Sequence, residues 1–209
     1  MVSKEQLITT NVEFHFDFGS PNAYLAHLLV QELAQKKAVN FDYVPVLLGG
    51  IFKTTGNTSP FLANQKIKNK FAYMQAELRR FLTRYQLVDK FKLNPHFPVN
   101  TLMIMRGAIA AQSLGEQVFE KYVNTMFDGM WRQGLKMDDA QVLIEVLSAA
   151  ELPADEIMTL CQSDEIKQKL AANTQYSVDK GSFGAPSFYI GEELFFGKET
   201  VAEIAERLS

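Results

Sequence analysis

The chain has 209 residues, 47% of them hydrophobic, and a formal net charge of -3, which is apolar material enough for one domain, or for one domain with a large insertion. That charge leaves no electrostatic footprint for nucleic acid, and no apolar run approaches the roughly 18 residues of a membrane span, so neither partner is expected. Cys161 is the single cysteine, which excludes an internal disulfide and a Cys-x-x-Cys redox pair.

The first residues hold no apolar stretch of the roughly 7 to 15 residues that mark an export signal, so a cytoplasmic protein is expected. Val12, Phe14, Phe16 and Phe18 alternate with Glu13, His15 and Asp17, a period of two that predicts a strand with its polar residues on the other side. Ser20 and Pro21 then read as a helix cap and first helical residue, followed by Tyr24, Leu25, Leu28, Leu29 and Leu33 on an apolar face. Val39, Phe41 and Tyr43 predict a second strand leading to Pro45, and two strands joined by one helix form a right-handed βαβ unit.

From about Leu62 to Gln175 the pattern becomes helical. Phe71, Met74, Leu78, Phe81 and Leu82 form one stripe, and residues 102–114, 118–130, 142–149 and 157–170 supply further helices. Cys161 falls at helical spacing from Ile157 and Leu160 and is expected to be an inert core thiol. Trp131 is expected in the core, with a hydrophobic substrate pocket as the alternative. Phe188 to Ile190 and Leu194 to Phe196 read as two short strands around Gly191, and an amphipathic helix from Glu199 to Leu208 closes the chain. Ala185-Pro186 precedes the third strand, either as an ordinary loop proline or as a cis bond that turns the Ala185 backbone outward, where it could pair with an extended peptide.

The order βαβ, helices, ββα predicts an α/β thioredoxin fold with a large all-helical insertion between its two halves: residues 1–61 and 176–209 form the thioredoxin-like domain and 62–175 the inserted one. Five stretches in that order, FDFGSPNAYLA at 16–26, LLGGIFKTTGN at 47–57, HFPVNTLMIMRGAIAA at 96–111, FGAPSFYIG at 183–191 and FFGKE at 195–199, carry a resemblance. The chain resembles the 2-hydroxychromene-2-carboxylate isomerase family and the related kappa-class glutathione transferases, members of the DsbA-like thioredoxin superfamily.

The resemblance implies a glutathione-dependent enzyme in which Ser20 stands where thioredoxin-type proteins carry a catalytic cysteine. A free thiol has a pKa near 8.5, so the site must favour the thiolate. A hydroxyl at a helix N-terminus can donate to the sulfur, and the helix dipole adds a second favourable term. The same hydroxyl oxygen can accept a capping bond.

By the same resemblance Asn57 takes the place of a catalytic asparagine near the thiol, the alternative being a turn residue after Gly56. Pro21, Ala185 and Pro186 border the cofactor. Lys70 would reach the glycine carboxylate of glutathione, with Lys66 or Lys68 as substitutes. Lys198 and Glu199 would meet its γ-glutamyl end, where the family usually has Phe-Gly-x-Asp. A small hydrophobic or aromatic substrate and a homodimer are implied as well.

His15, His27 and His96 have no histidine or cysteine at ligand spacing, so no metal is expected. Three functions remain open: an isomerase of aromatic, unsaturated 2-oxo acids in aromatic catabolism, a kappa-like transferase conjugating electrophiles, and a thioredoxin-fold binding protein without turnover. A disulfide oxidoreductase is excluded, because Gly19-Ser20-Pro21-Asn22 carries no sulfur.

Overall fold

The structure, a computed structural model, describes residues 11–37 and 39–208. Residues 1–10, read for an export signal and assigned to the expected 1–61 segment, lie outside the described residues.

Alternating phenylalanines make β1 (Asn11–Phe16), in which Val12, Phe14 and Phe16 are fully buried. The strand ends two residues before the alternation does, because Phe18 lies in the turn that enters α1 (Pro21–Lys36). Ser20 caps that helix, accepting from the Ala23 N–H, with Pro21 in the first turn. β2 (Asn40–Pro45) runs parallel to β1, which completes the βαβ unit. β3 (Ser187–Ile190) pairs antiparallel with β1, and β4 (Glu193–Phe196) antiparallel with β3. The sheet order is β2-β1-β3-β4, and α10 (Thr200–Arg207) returns to pack on α1. This is the expected thioredoxin arrangement.

Between the halves lie α2 (Leu48–Thr55), α3 (Pro60–Asn64), α4 (Lys70–Arg84), α5 (Leu102–Ser113), α6 (Glu116–Asp128), α7 (Ala140–Ala149), α8 (Ala154–Leu160) and α9 (Asp164–Asp179). The glycine pair Gly49-Gly50 hid α2 from the sequence pattern. The helix expected over 157–170 is two helices, because Ser163 caps a new one by accepting from the Ile166 N–H. The stripe on α4 is only partly used: Phe81 is buried, whereas Phe71 is 43% exposed. The division expected at 175/176 falls inside α9, which packs on both α2 and β2. Helices α5 and α6 approach so closely that a Cβ on Gly107 would stand 2.0 Å from the Tyr122 hydroxyl oxygen. No helix among the described residues is long and apolar enough to cross a membrane.

His15 and Asp17, expected on the polar side of β1, are buried instead, at 0% and 1% exposure. Helices cover this sheet on both faces, so alternation along β1 does not separate core from solvent. His15 is held by α9: its Nδ1 lies 2.9 Å from Ser177 Oγ and its Nε2 2.8 Å from Glu13 Oε2, while Lys180 Nζ donates to Glu13 at 3.0 Å. Serine, histidine and carboxylate are thus linked in the order of a hydrolase triad, but Ser177 is 0% exposed and meets no substrate.

His27 is the polar centre of the opposite layer, stacked on Phe127 at 4.9 Å. Its Nε2 lies 2.9 Å from Asn124 Oδ1 and its Nδ1 2.8 Å from the Tyr43 hydroxyl. An amide oxygen only accepts, so Nε2 carries the proton and Nδ1 accepts from Tyr43, which is the neutral ring. Burial pushes the His27 pKa from 6.5 down to about 4. The unfolded chain therefore takes up this proton first as pH falls, and stability present above pH 6.5 is lost toward pH 4. The full loss from this one ring is about 3 kcal/mol. Urea unfolding across that range should show a flatter pH dependence in His27→Gln than in the wild type; parallel curves would mean that the ring does not titrate this way.

Candidate functional site

The loop before β3 is the hub of the site. Ser20 Oγ accepts the Ala23 N–H at 3.1 Å and donates its own proton to the Ala185 carbonyl at 2.9 Å. Capping and donation therefore coexist on one hydroxyl, at the N-terminus of a 16-residue helix whose unpaired N–H groups favour a negative charge. The Ala185-Pro186 bond is cis, the second of the two readings that the sequence left open. The Ala185 N–H makes no hydrogen bond among the described residues, so a peptide edge remains available there.

One other predicted residue, Asn57, bonds the same loop, and Gly197 brings Lys198 and Glu199 beside it. Gly56 ends α2 in the left-handed conformation at φ 70, the backbone region that glycine enters at least cost. Asn57 follows it and donates from Nδ2 to the Phe183 carbonyl at 2.7 Å, while its Oδ1 accepts from the Thr58 N–H. The Gly197 N–H donates to the Pro186 carbonyl at 3.1 Å, which seats the Gly197-Lys198-Glu199 corner beside the cis proline.

Lys198 is 4% exposed, and its ammonium is fully engaged: Nζ lies 3.1 and 3.3 Å from the two carboxylate oxygens of Glu77 on α4, contacts Glu199, and sits 4.8 Å from the Phe81 ring centroid. Lys70 opens α4 on the exposed side, and Lys66 and Lys68 are exposed too. None of these three makes a side-chain contact with the cluster around Ala185 among the described residues.

Asp17 escaped the sequence reading as a supporting residue. Asp17 lies beneath the turn, its Oδ1 accepting from the Gly19 N–H at 2.8 Å and its Oδ2 from the Leu48 N–H at 2.7 Å. Burial raises its pKa, partly offset by those N–H bonds. The spacing Asp-x-Gly was the available signal, since an aspartate commonly bonds the amide two residues on. Trp131 is core, 0% exposed, and its Nε1 donates to the Phe18 carbonyl at 2.7 Å. Phe183 and Phe196 meet at 4.4 Å between ring centroids, each about two-fifths exposed. Cys161 is buried, and burial pushes its thiol pKa up to about 11, as befits an inert core thiol.

A family model described as a DSBA-like thioredoxin domain matches residues 11–209. Among curated proteins, a 2-hydroxychromene-2-carboxylate isomerase of Pseudomonas sp. (strain C18) is 25% identical over 189 residues, 90% of this chain and 85% of the relative. Glutathione S-transferase kappa 1 of Caenorhabditis elegans is 27% identical over 214 residues, 94% and 90% of the two chains. A solved structure of a 2-hydroxychromene-2-carboxylate isomerase superposes with a TM-score of 0.81 at 23% identity, covering 95% of this chain and 94% of that one.

The bond from Trp131 to Phe18 is open to a direct test. Trp131→Phe keeps an aromatic ring but leaves a buried carbonyl without its donor, which costs about 1 to 3 kcal/mol. Denaturant unfolding should show a lowered midpoint of that order. An unchanged midpoint would mean that the indole contributes by packing alone.

Proposed function

The chain belongs to the DSBA-like thioredoxin domain family, and from that premise we propose that it is a glutathione-dependent isomerase of aromatic, unsaturated 2-oxo acids. The observation that carries the reading is the Ser20 hydroxyl, set at the N-terminus of α1 within 2.9 Å of the Ala185 carbonyl. Glutathione supplies the sulfur nucleophile that this chain lacks in residues 19–22.

The remaining steps belong to the protein's own groups. Ala185 offers an unpaired N–H and a carbonyl to the cysteinyl part of the ligand. When a ligand N–H takes over the Ala185 carbonyl, the Ser20 proton is free to rotate about Cβ–Oγ and point at the sulfur, while Oγ continues to accept from Ala23. Each pKa unit by which the thiol is lowered corresponds to about 1.4 kcal/mol of preference for the thiolate. Asn57 uses one N–H of its amide on Phe183, and the second remains to donate to a developing oxyanion.

Lys70 supplies a cation for the glycine carboxylate. Lys198 would meet a γ-glutamyl carboxylate by exchanging it for Glu77, with Glu199 left for the ammonium. A cytoplasmic homodimer belongs to the same proposal.

A kappa-like transferase is the second reading, favoured by the transferase of Caenorhabditis elegans at 27% identity, since the same cluster would serve it. Two measurements decide. Bound glutathione should show thiolate absorbance near neutral pH, and Ser20→Ala should raise its thiol pKa by about one unit; an unaltered titration would reduce Ser20 to a cap. With glutathione well below a benzylidenepyruvate-type substrate, isomerisation should run to completion. Product that stops at one equivalent, with glutathione conjugated, selects the transferase.

A further inference from the structure

We propose that Asp17 is a positioning residue for this reaction: its carboxylate, held between the peptide N–H groups of Gly19 and Leu48, sets Ser20 and Asn57 in register with each other. The role rests on the glutathione reading, whereas the geometry stands independently of it.

Ser20 and Asn57 are far apart in the chain, with two helices and a strand between them. One carboxylate reaches both. Its Oδ1 accepts from Gly19 at 2.8 Å, and the Asp17 carbonyl accepts from the Ser20 N–H at 3.0 Å, so side chain and main chain together close the turn that presents Ser20. Its Oδ2 accepts from Leu48 at 2.7 Å. Leu48 is the first residue of α2, whose eight residues end at Thr55; Gly56 caps it, and Asn57 follows directly. A shift at the start of so short a helix is carried to its end.

The surroundings leave the carboxylate little freedom. The Thr101 side chain, at the cap of α5, lies beside it and favours its charged form. Thr101 Cγ2 also stands 3.0 Å from where a Cβ on Gly19 would lie, so the turn is packed as well as bonded. No cation pairs with Asp17 among the described residues, and it is 1% exposed. An acid buried among neutral donors is a costly way to stabilise a fold. What it offers is two acceptor oxygens on one rigid plane, and a carboxamide has only one.

Two substitutions separate positioning from general support. Asp17→Asn is isosteric but must lose one of the two N–H bonds. Leu48→Pro removes only the Leu48 N–H, at the first helical position where proline is tolerated, and Leu47 before it is already extended at φ -99, ψ 108. Each should lower kcat/KM about 10- to 100-fold with the fold intact by circular dichroism, as a displacement near 1 Å would. Leu48→Pro should have an effect of less than about threefold when Asn57 is already alanine, because the residue it positions is gone. Asp17→Asn should lose most of its effect in the Ser20→Ala, Asn57→Ala background.

Equal fold-losses in every background would overturn the proposal, and so would undiminished activity. Amide hydrogen exchange reads the tether without turnover: both N–H groups should be protected in the wild type, with Leu48 or Gly19 exchanging at least tenfold faster in Asp17→Asn. Unchanged exchange at both amides removes the tether. If the wild type protects both but isomerises and conjugates nothing with glutathione, the functional reading fails, and the role assigned to Asp17 in that reaction falls with it.

Discussion

The turn from Asp17 to Ser20 is buried, and a buried turn must find a partner for each peptide group it presents. Those partners come from all over the chain. Trp131 holds the Phe18 carbonyl and Met105 Sδ accepts from the Phe18 N–H at 3.4 Å, while Ala185 accepts from the Ser20 hydroxyl beside them. Ser20 is placed because its neighbours cannot be left unsatisfied, and the helices inserted after β2 are what satisfy them.

The same economy explains the state of the Ser20 hydroxyl. An oxygen that accepts from α1 has one of its two lone pairs committed and an O–H that can turn, so the group can change the direction of donation without leaving its place. Lys198 shows the opposite arrangement. Its ammonium is enclosed by Glu77, Glu199 and the Phe81 face, and any new partner must displace an existing one. The sulfur and the γ-glutamyl carboxylate of the proposed ligand would thus meet a hydroxyl that turns its proton once Ala185 is taken over and a cation that has to be released.

Much of the architecture was legible because it rests on local signals. Period-two phenylalanines, a serine-proline cap and a proline entering a strand each report a backbone state directly, and their order along the chain is the topology. What failed was inference about facing. Alternation assigns a wet side only where one exists, and α9, more than 140 residues downstream, removes it from β1 by covering His15. The stripe on α4 failed in reverse, since a helical period shows that an apolar face exists and says nothing of what meets Phe71. Ser20, Ala185, Pro186 and Asn57, singled out by motif, meet at the loop before β3. Asp17 and Glu77 were missed because a carboxylate's value lies in the donors that converge on it, and those are distant in sequence.

The indole of Trp131 has a consequence for how modular this chain is. Read in order, the helices look like an excisable insert between two halves of a sheet. Cutting them out would uncover the Phe18 carbonyl, strip His27 of Asn124, and bare Phe16 where it meets Phe127 at 5.6 Å. The wound would be polar as well as apolar, and rejoining the ends would not dress it. Contiguity in the chain and autonomy in folding are separate properties here: the insert is grafted by sequence, yet the sheet has no finished surface without it.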